Sequence, residues 1–464
     1  MNVIHPELWT ADSNEVFEVS LVKGDGATVG HAFNPKFTYP IFGEAEAIYG
    51  FKELEIELKL GSASLIPFLK VTYSAKLEDK AKLATVIRED KRLRQQEQGE
   101  DQEEVKDEDE KDKEKDKDNN DPEATLRKFL PHDAFSDEKA WLDEVGKAET
   151  EFTPPGVLMS SYSHDNKSYE VWKAPISDPL QQVLHYRMQI FVLLLVEGGS
   201  YIDATDDRWW IYTLYEKSSE GKYTFAGYST VYSYLWYKNA ETYTLFGESD
   251  NNSSNGFVNF YQRKRISQFM ILPPFQGQKH GPRLYNILMD EFCNDPMVKE
   301  VTVEDPNVAF DDMRDRCDMQ RLDKLGVWKD DGFTDAPVSK AWIAQMQEKT
   351  KIIPRQFLRC VEMALLRRVN KRNREAYRQY RLQVKQRLFK HNREALKDLD
   401  KWQRIEKLNE TYKSIELDYY RLIEGIPTEE HEESTIEQPI RNKGRGKRAQ
   451  LEDEADASKR AKLE

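Results

Sequence analysis

The sequence predicts a mixed α/β fold, β-rich at its start and helical at its end. Three observations carry this. Short apolar runs broken by Gly, Asp and Pro fill the opening residues. A strand–turn–helix–strand unit lies past the middle, and a long basic stretch with helical periodicity follows. The 464 residues are enough for two or three domains. Hydrophobic residues make up 39% and aromatics 11%, enough for real cores, while the 33% charged fraction exceeds the usual quarter and implies a very polar or unfolded part.

The β-rich part spans residues 1–160 and contains the runs EVFEVSLV, KFTYPIF, ELEIELKL and LIPFLKVTYS. GDGATVG (Gly24 to Gly30) has neither dinucleotide nor P-loop spacing and no helix pattern after it, so it reads as a D-G turn. Within this part, at about residues 90–122, lies an acidic insertion. Glu97 to Asp121 holds fourteen acidic and five basic residues with almost nothing apolar. Such a segment cannot offset its ordering entropy and is expected to be disordered. It is either a solvated insertion or an arm that attracts basic clients.

Order resumes in ATLRKFLPHDAF and KAWLDEVGKAE, read as short helices. A core region is expected over residues 161–300. It opens with a helix from Asp178 to the Gly198-Gly199 stop, followed by the strand-like runs WWIYTLYEK, YTFAGYSTVYSYLWY and RISQFMIL. Residues 301–425 begin at the strand end VKEVTVEDP and become helical and basic from about Ser339 to Leu422. The tail, residues 426–464, is polar and carries two basic clusters, either a bipartite nuclear-import signal or an unstructured solubility tail.

Charge and cysteine usage narrow the function. A net charge of −14 argues against direct DNA binding and suits a strongly basic partner. Cys293, Cys317 and Cys360 have no C-x-x-C pairing and no His at ligand spacing, so neither a disulfide framework nor a metal site is expected, and a reducing compartment fits. The longest apolar run, Ile190 to Val196, is too short to span a bilayer, and no membrane association is expected.

The stretch QFMILPPFQGQKHGPRLYNIL carries the chemistry. Pro273-Pro274 cannot pair with a neighbouring strand, so a gap should open beside the strand end. Gly277 and Gly281 allow close backbone approach, and Pro282 suits the first position of a helix whose buried stripe is Leu284, Ile287, Leu288 and Phe292. The start of that helix, facing the gap, reads as a phosphate cradle, although a strand–loop–helix junction with two glycines is by itself more often just a connection.

ISQFMILPPFQGQKHG followed by VTVEDPNVAFDDMRD resembles the type B histone acetyltransferase catalytic subunits of the GCN5-related N-acetyltransferase superfamily. The likeness continues through IFGEAEAIYGFKEL, VEGGSYIDATDDRWWIY and GYSTVYSYLWY, and covers roughly Val16 to Arg316 apart from the acidic insertion. The resemblance implies a GCN5-related N-acetyltransferase core with a β-rich N-terminal domain and a helical C-terminal domain. It implies acetyl-CoA as donor, held by Phe269, Met270 and Ile271, by Gln276, Gly277, Gln278, Lys279, His280, Gly281 and Pro282, and by Asn307. Lys279 departs from the family turn, which normally has glycine there. Retained cofactor binding is expected.

A free lysine has a pKa of ~10.4, so roughly one in a thousand is neutral near pH 7.4, and only that form attacks a thioester. A carboxylate with a pKa raised by burial is needed as base. By resemblance Glu304 is that base, with Asp305 and Glu197 as further acidic candidates. Glu44, Glu46, Trp209, Tyr232 and Tyr234 match positions that hold the histone tail. The implied activity is transfer to lysines of newly synthesised, free histone H4 (with H3), alongside a WD-repeat histone-binding subunit, in cytoplasm and nucleus. Acetylation of another protein or a small amine, and a non-catalytic histone chaperone, stay open.

Overall fold

The computed structural model describes residues 5–98, 121–236, 261–424 and 426. The N-terminal part opens with β1 (Thr10–Asp12), α1 (Ser13–Val16) and β2 (Phe17–Val22), then α2 (Tyr39–Phe42), β3 (Ala47–Tyr49), β4 (Phe51–Lys52), β5 (Glu55–Gly61), β6 (Pro67–Thr72) and β7 (Ala75–Lys76). Strands β2, β5 and β6 form a three-stranded sheet, β2 parallel to β5. KFTYPIF, expected as a strand, instead contains α2, because Pro40 starts a helical turn readily and Gly43 ends it at φ +87°. GDGATVG is a turn, with Gly26 at φ +85°.

Helix α3 (Lys80–Gln98), absent from the sequence reading, takes in residues 90–98 of the expected insertion. Residues 99–120 and the tail from 427 lie outside the described residues, and with them the acidic arm and the import signal. Helices α4 (Pro122–Arg127) and α5 (Glu138–Glu151) match the two expected short helices. The expected helix from Asp178 is two abutting ones, α6 (Pro179–Met188) and α7 (Ile190–Leu195).

The central sheet has six strands: β8 (Val157–His164), β9 (Lys167–Pro175), β10 (Trp209–Lys217), β11 (Tyr223–Leu235), β12 (Gln262–Ile271) and β13 (Val298–Val303). They lie in the order β13-β12-β11-β10-β9-β8, and only β12 and β13 run parallel. The β8–β9 hairpin had no sequence signal. Its outer strand is largely exposed and lacks the apolar alternation that marks a half-buried strand. The two sheets meet where the Phe225 amide donates to the Ser62 carbonyl at 2.7 Å.

Helix α8 (His280–Asn294) crosses between β12 and β13, and α9 (Val308–Lys324) follows β13. Then come α10 (Lys340–Thr350), α11 (Pro354–Arg368), α12 (Arg374–His391), α13 (Arg393–Lys397) and α14 (Lys401–Glu424). The helical region therefore begins at Val308, earlier than Ser339. The sequence signal is weak there because α9 buries Arg314, Asp315 and Asp318 among its apolar residues. Asp318 accepts from Tyr285 of α8 at 2.8 Å and Gln356 of α11 at 3.0 Å, joining three helices.

One apolar cluster runs from Phe17 through the central sheet to Ile426, so the three parts share a core. Among the described residues no helix is long and apolar enough to cross a membrane. Glu362 of α11, 1% exposed, takes both arms of Arg387 at 2.8 Å and the Tyr419 hydroxyl at 2.8 Å. Replacing Glu362 by Ala leaves the nearly buried Arg387 guanidinium with only the Tyr419 hydroxyl at 3.0 Å and should cost about 3–5 kcal/mol. Thermal unfolding of the variant tests this, and a melting temperature equal to the parent's would contradict it.

Candidate active site

The site forms where two parallel strands part. Strand β12 pairs with β13 only from Gln262 to Ile266, and the last link is the Glu304 amide donating to the Ile266 carbonyl at 2.9 Å. On its other side β12 stays paired with β11 as far as Ile271. Residues 267–271 therefore turn one backbone edge toward the gap. A bulge lies here, two residues of β12 (Ser267 and Gln268) standing opposite Thr230 of β11, and the Thr230 hydroxyl accepts from the Gln268 amide at 2.9 Å. Leu272 makes the last ladder-like bond, to the Ala226 carbonyl, before Pro273-Pro274 turns the chain away.

The turn that follows is open. Among the described residues no acceptor takes the amide hydrogens of Gly277, Gln278, Lys279, His280 or Gly281. Gly277 has φ +76°, and Lys279, at φ +61° and ψ 21°, caps α8 from the left-handed region. Lysine thus adopts the backbone shape that glycine gives more cheaply, and the turn keeps its form. Pro282 sits at the third helical position rather than the first, still within the turn where a missing N–H costs nothing. At Gly281 a Cβ would come 3.1 Å from the Met313 sulfur, a close approach of α8 to α9. Five unpaired amides at a helix start fit an anionic group such as a pyrophosphate.

Met270 is buried, whereas Phe269 and Ile271 are half-buried, with Phe269 edge-on to Phe310 at 5.1 Å. The Gln276 side chain donates to the Ile271 carbonyl at 2.7 Å and so folds the turn back on the strand. Gln278 donates to the Pro274 carbonyl at 3.1 Å. The His280 ring is buried against Tyr169 and bonded to the Tyr162 hydroxyl at 2.8 Å, so only its backbone is offered to the gap. Burial pushes its pKa down to about 4, with help from His164 and Arg283. The Asn307 side chain caps α9 by accepting from the Phe310 amide at 2.9 Å.

Glu304 lies at the tip of β13, partly exposed. One carboxylate oxygen meets Arg265 at 2.9 Å and the other takes a bond from the Ser267 hydroxyl. Neither partner was singled out in the sequence. Their only signal is a two-residue spacing on β12, which means nothing until the register with β13 is known. Asp305 is exposed at φ +30°, where the chain bends into Pro306. Glu197 is exposed on the turn after α7. That turn is tied to Tyr39 through the Gly198 amide at 2.6 Å and to β12 through Gln268, which donates to the Ser200 carbonyl at 2.8 Å.

Of the aromatics expected to line a groove, Trp209 and Tyr232 are buried in the apolar cluster and Tyr234 is half-buried beside them. Trp209, Tyr232, Arg265 and Thr302 are successive partners across four strands, so they share one face with the strand end that bears Glu304. Trp209 packs edge-on to Tyr232 at 4.8 Å, and Tyr232 edge-on to Tyr234 at 4.5 Å. Asp206, also missed, accepts from Tyr232 at 2.8 Å and pairs with Arg208, which holds its carboxyl well below the usual range. Burial, reinforced by Asp206, pushes the Tyr232 phenol up to about 12. In the N-terminal part Glu44 is exposed. Glu46 accepts from the Thr38 and Tyr39 amides at 2.6 and 3.0 Å, so one of its oxygens braces α2.

Comparison with known proteins gives concordant findings. A family model described as "Histone acetyl transferase HAT1 N-terminus" matches residues 9–114 and 100–197, and one described as "Fungal HAT1, C-terminal" matches residues 315–370. A histone acetyltransferase type B catalytic subunit of Debaryomyces hansenii is 34% identical over 427 residues, covering 91% of this chain and 91% of that protein. The Kluyveromyces lactis protein of the same description is 34% identical, covering 91% of this chain and 94% of its own length. That of Yarrowia lipolytica is 35% identical over 460 residues, covering 90% and 93%.

The left-handed backbone at residue 279 can be checked. Lys279→Gly keeps every amide and removes a steric cost, so it should match or slightly exceed the parent's stability. Lys279→Val should lose about 1–2 kcal/mol. Thermal unfolding decides; a Val variant as stable as the parent would contradict the geometry.

Proposed function

The chain belongs to the histone acetyltransferase type B catalytic subunits, and from that premise we propose that it acetylates lysines on the N-terminal tail of newly made, free histone H4. The carrying observation is the parted strand pair, which sets five unpaired amides and a carboxylate around one gap. Acetyl-CoA would supply the acetyl group as an activated thioester. The amides of residues 277–281 would hold its pyrophosphate, the free edge of Phe269, Met270 and Ile271 its acetyl-bearing arm, and Asn307 would flank it.

The histone lysine enters from the aromatic side. Trp209, Tyr232 and Tyr234 line its aliphatic stem, while Glu44 and Glu46 attract the basic residues around it. At neutral pH this lysine is almost entirely protonated. Glu304 accepts its proton, which makes the nitrogen nucleophilic, with exposed Asp305 and Glu197 as the other acidic candidates for that role. Arg265 and Ser267 keep the accepting oxygens aimed at the end of the groove. The same reading gives the chain histone H3–H4 as substrate and a WD-repeat histone-binding subunit as partner, in cytoplasm and nucleus.

Steady-state kinetics on an H4-tail peptide tests the assignment. Glu304→Gln should lower kcat/KM by roughly 10²–10⁴-fold while calorimetry still registers acetyl-CoA binding. Parent-like turnover in the variant, or no turnover by the parent, would overturn it.

A further inference from the structure

We propose that Arg265 and Ser267 are positioning residues for the base, a role that rests on the reading of Glu304 given above. The geometry gives Glu304 little other support. Its amide makes the last bond between β12 and β13, and the next residue, Asp305, already turns away at φ +30°. No ladder holds the chain beyond it, so the direction of its carboxylate depends on side chains. Two supply it from alternate positions on β12: Arg265 at 2.9 Å on one oxygen and the Ser267 hydroxyl on the other.

Arg265 also connects the base to the groove. Its guanidinium lies over the Tyr234 ring at 4.9 Å, and Tyr234 packs on Tyr232 at 4.5 Å. A cation thus stands between the aromatic lining and the carboxylate, where the substrate nitrogen must arrive. Paired at 2.9 Å it also favours the ionised form of Glu304, so its part is to orient the carboxylate and keep it ready to accept, not to drive the transfer. Arg265 is poorly satisfied as a structural residue, since among the described residues its buried Nε–H has no acceptor.

Ser267 suits both states of the base. Its hydroxyl donates to the ionised carboxylate and can accept from the protonated acid once the lysine proton has moved to Glu304. The proton passes from lysine nitrogen to a Glu304 oxygen, and the net charge of the lysine–glutamate–arginine set is unchanged. Alanine at 267 loses this exchange, whereas threonine keeps it.

Kinetics with acetyl-CoA and an H4-tail peptide tests the role. Arg265→Met should lower kcat by about 10- to 100-fold with little change in either KM. Ser267→Ala should also lower kcat, and Ser267→Thr should restore most of it. In a Glu304→Gln background, Arg265→Met should cause no further loss, which a merely structural role would not produce. Losses that multiply in that background, a change confined to KM, or parent-like kcat in both variants would overturn the proposal. Should Arg265→Met fail to fold, the Ser267 pair carries the test, and a Thr variant no better than Ala overturns it. Loss in Glu304→Gln without loss in the Arg265 and Ser267 variants overturns this role alone; no loss in Glu304→Gln removes the base assignment with it.

Discussion

The molecule is organised around a parallel strand pair that cannot stay together. Backbone groups left without partners are costly, at about 1–3 kcal/mol for each buried group, so strands normally remain zipped to their ends. Here β12 and β13 separate after Ile266 while β12 continues on its other side to Ile271. The proline pair, the β12 bulge and the helix that starts at the gap all serve that separation. The exposed edge and the open turn amides face the same space, and the acid at the tip of β13 borders it. A free strand edge and a carboxylate thus arise from one departure from regular pairing.

The rest of the chain keeps that departure rigid. Groups carried on strands are held more tightly than groups on loops, and Trp209, Tyr232, Tyr234, Arg265, Ser267 and Glu304 all belong to the sheet or its strand end. The N-terminal sheet docks through Ser62, and its α2 is braced by Glu46 and tied to the Glu197 turn. The C-terminal helices add buried charged networks around Asp318 and Glu362 instead of apolar contacts alone. A shared apolar cluster means that loosening one part is felt in the others.

What could be read from the sequence was local. Pro273-Pro274, the glycines and the Leu284–Leu288–Phe292 stripe announce the strand stop and the helix within twenty residues, and they do so in any context. KFTYPIF misleads because its aromatic residues favour a strand while Pro40 quietly starts a helical turn. The β8 strand and α9 escape notice for opposite reasons: one hides little, and the other buries charges. Arg265 and Ser267 could not be found at all, because their meaning lies in a register between segments far apart in the chain. Lys279 posed a question that only the backbone answers, by turning left-handed.

His280 begins α8, yet its ring reaches through the interior to Tyr162 on the outermost strand, so the anion cradle is pinned to the far border of the sheet. The ring is held neutral, with its folded pKa near 4 against an ordinary 6.5. An unfolded chain binds that proton more readily, so the pin strengthens the fold fully above 6.5 and progressively less as pH falls toward 4. Acidification would therefore loosen the start of α8.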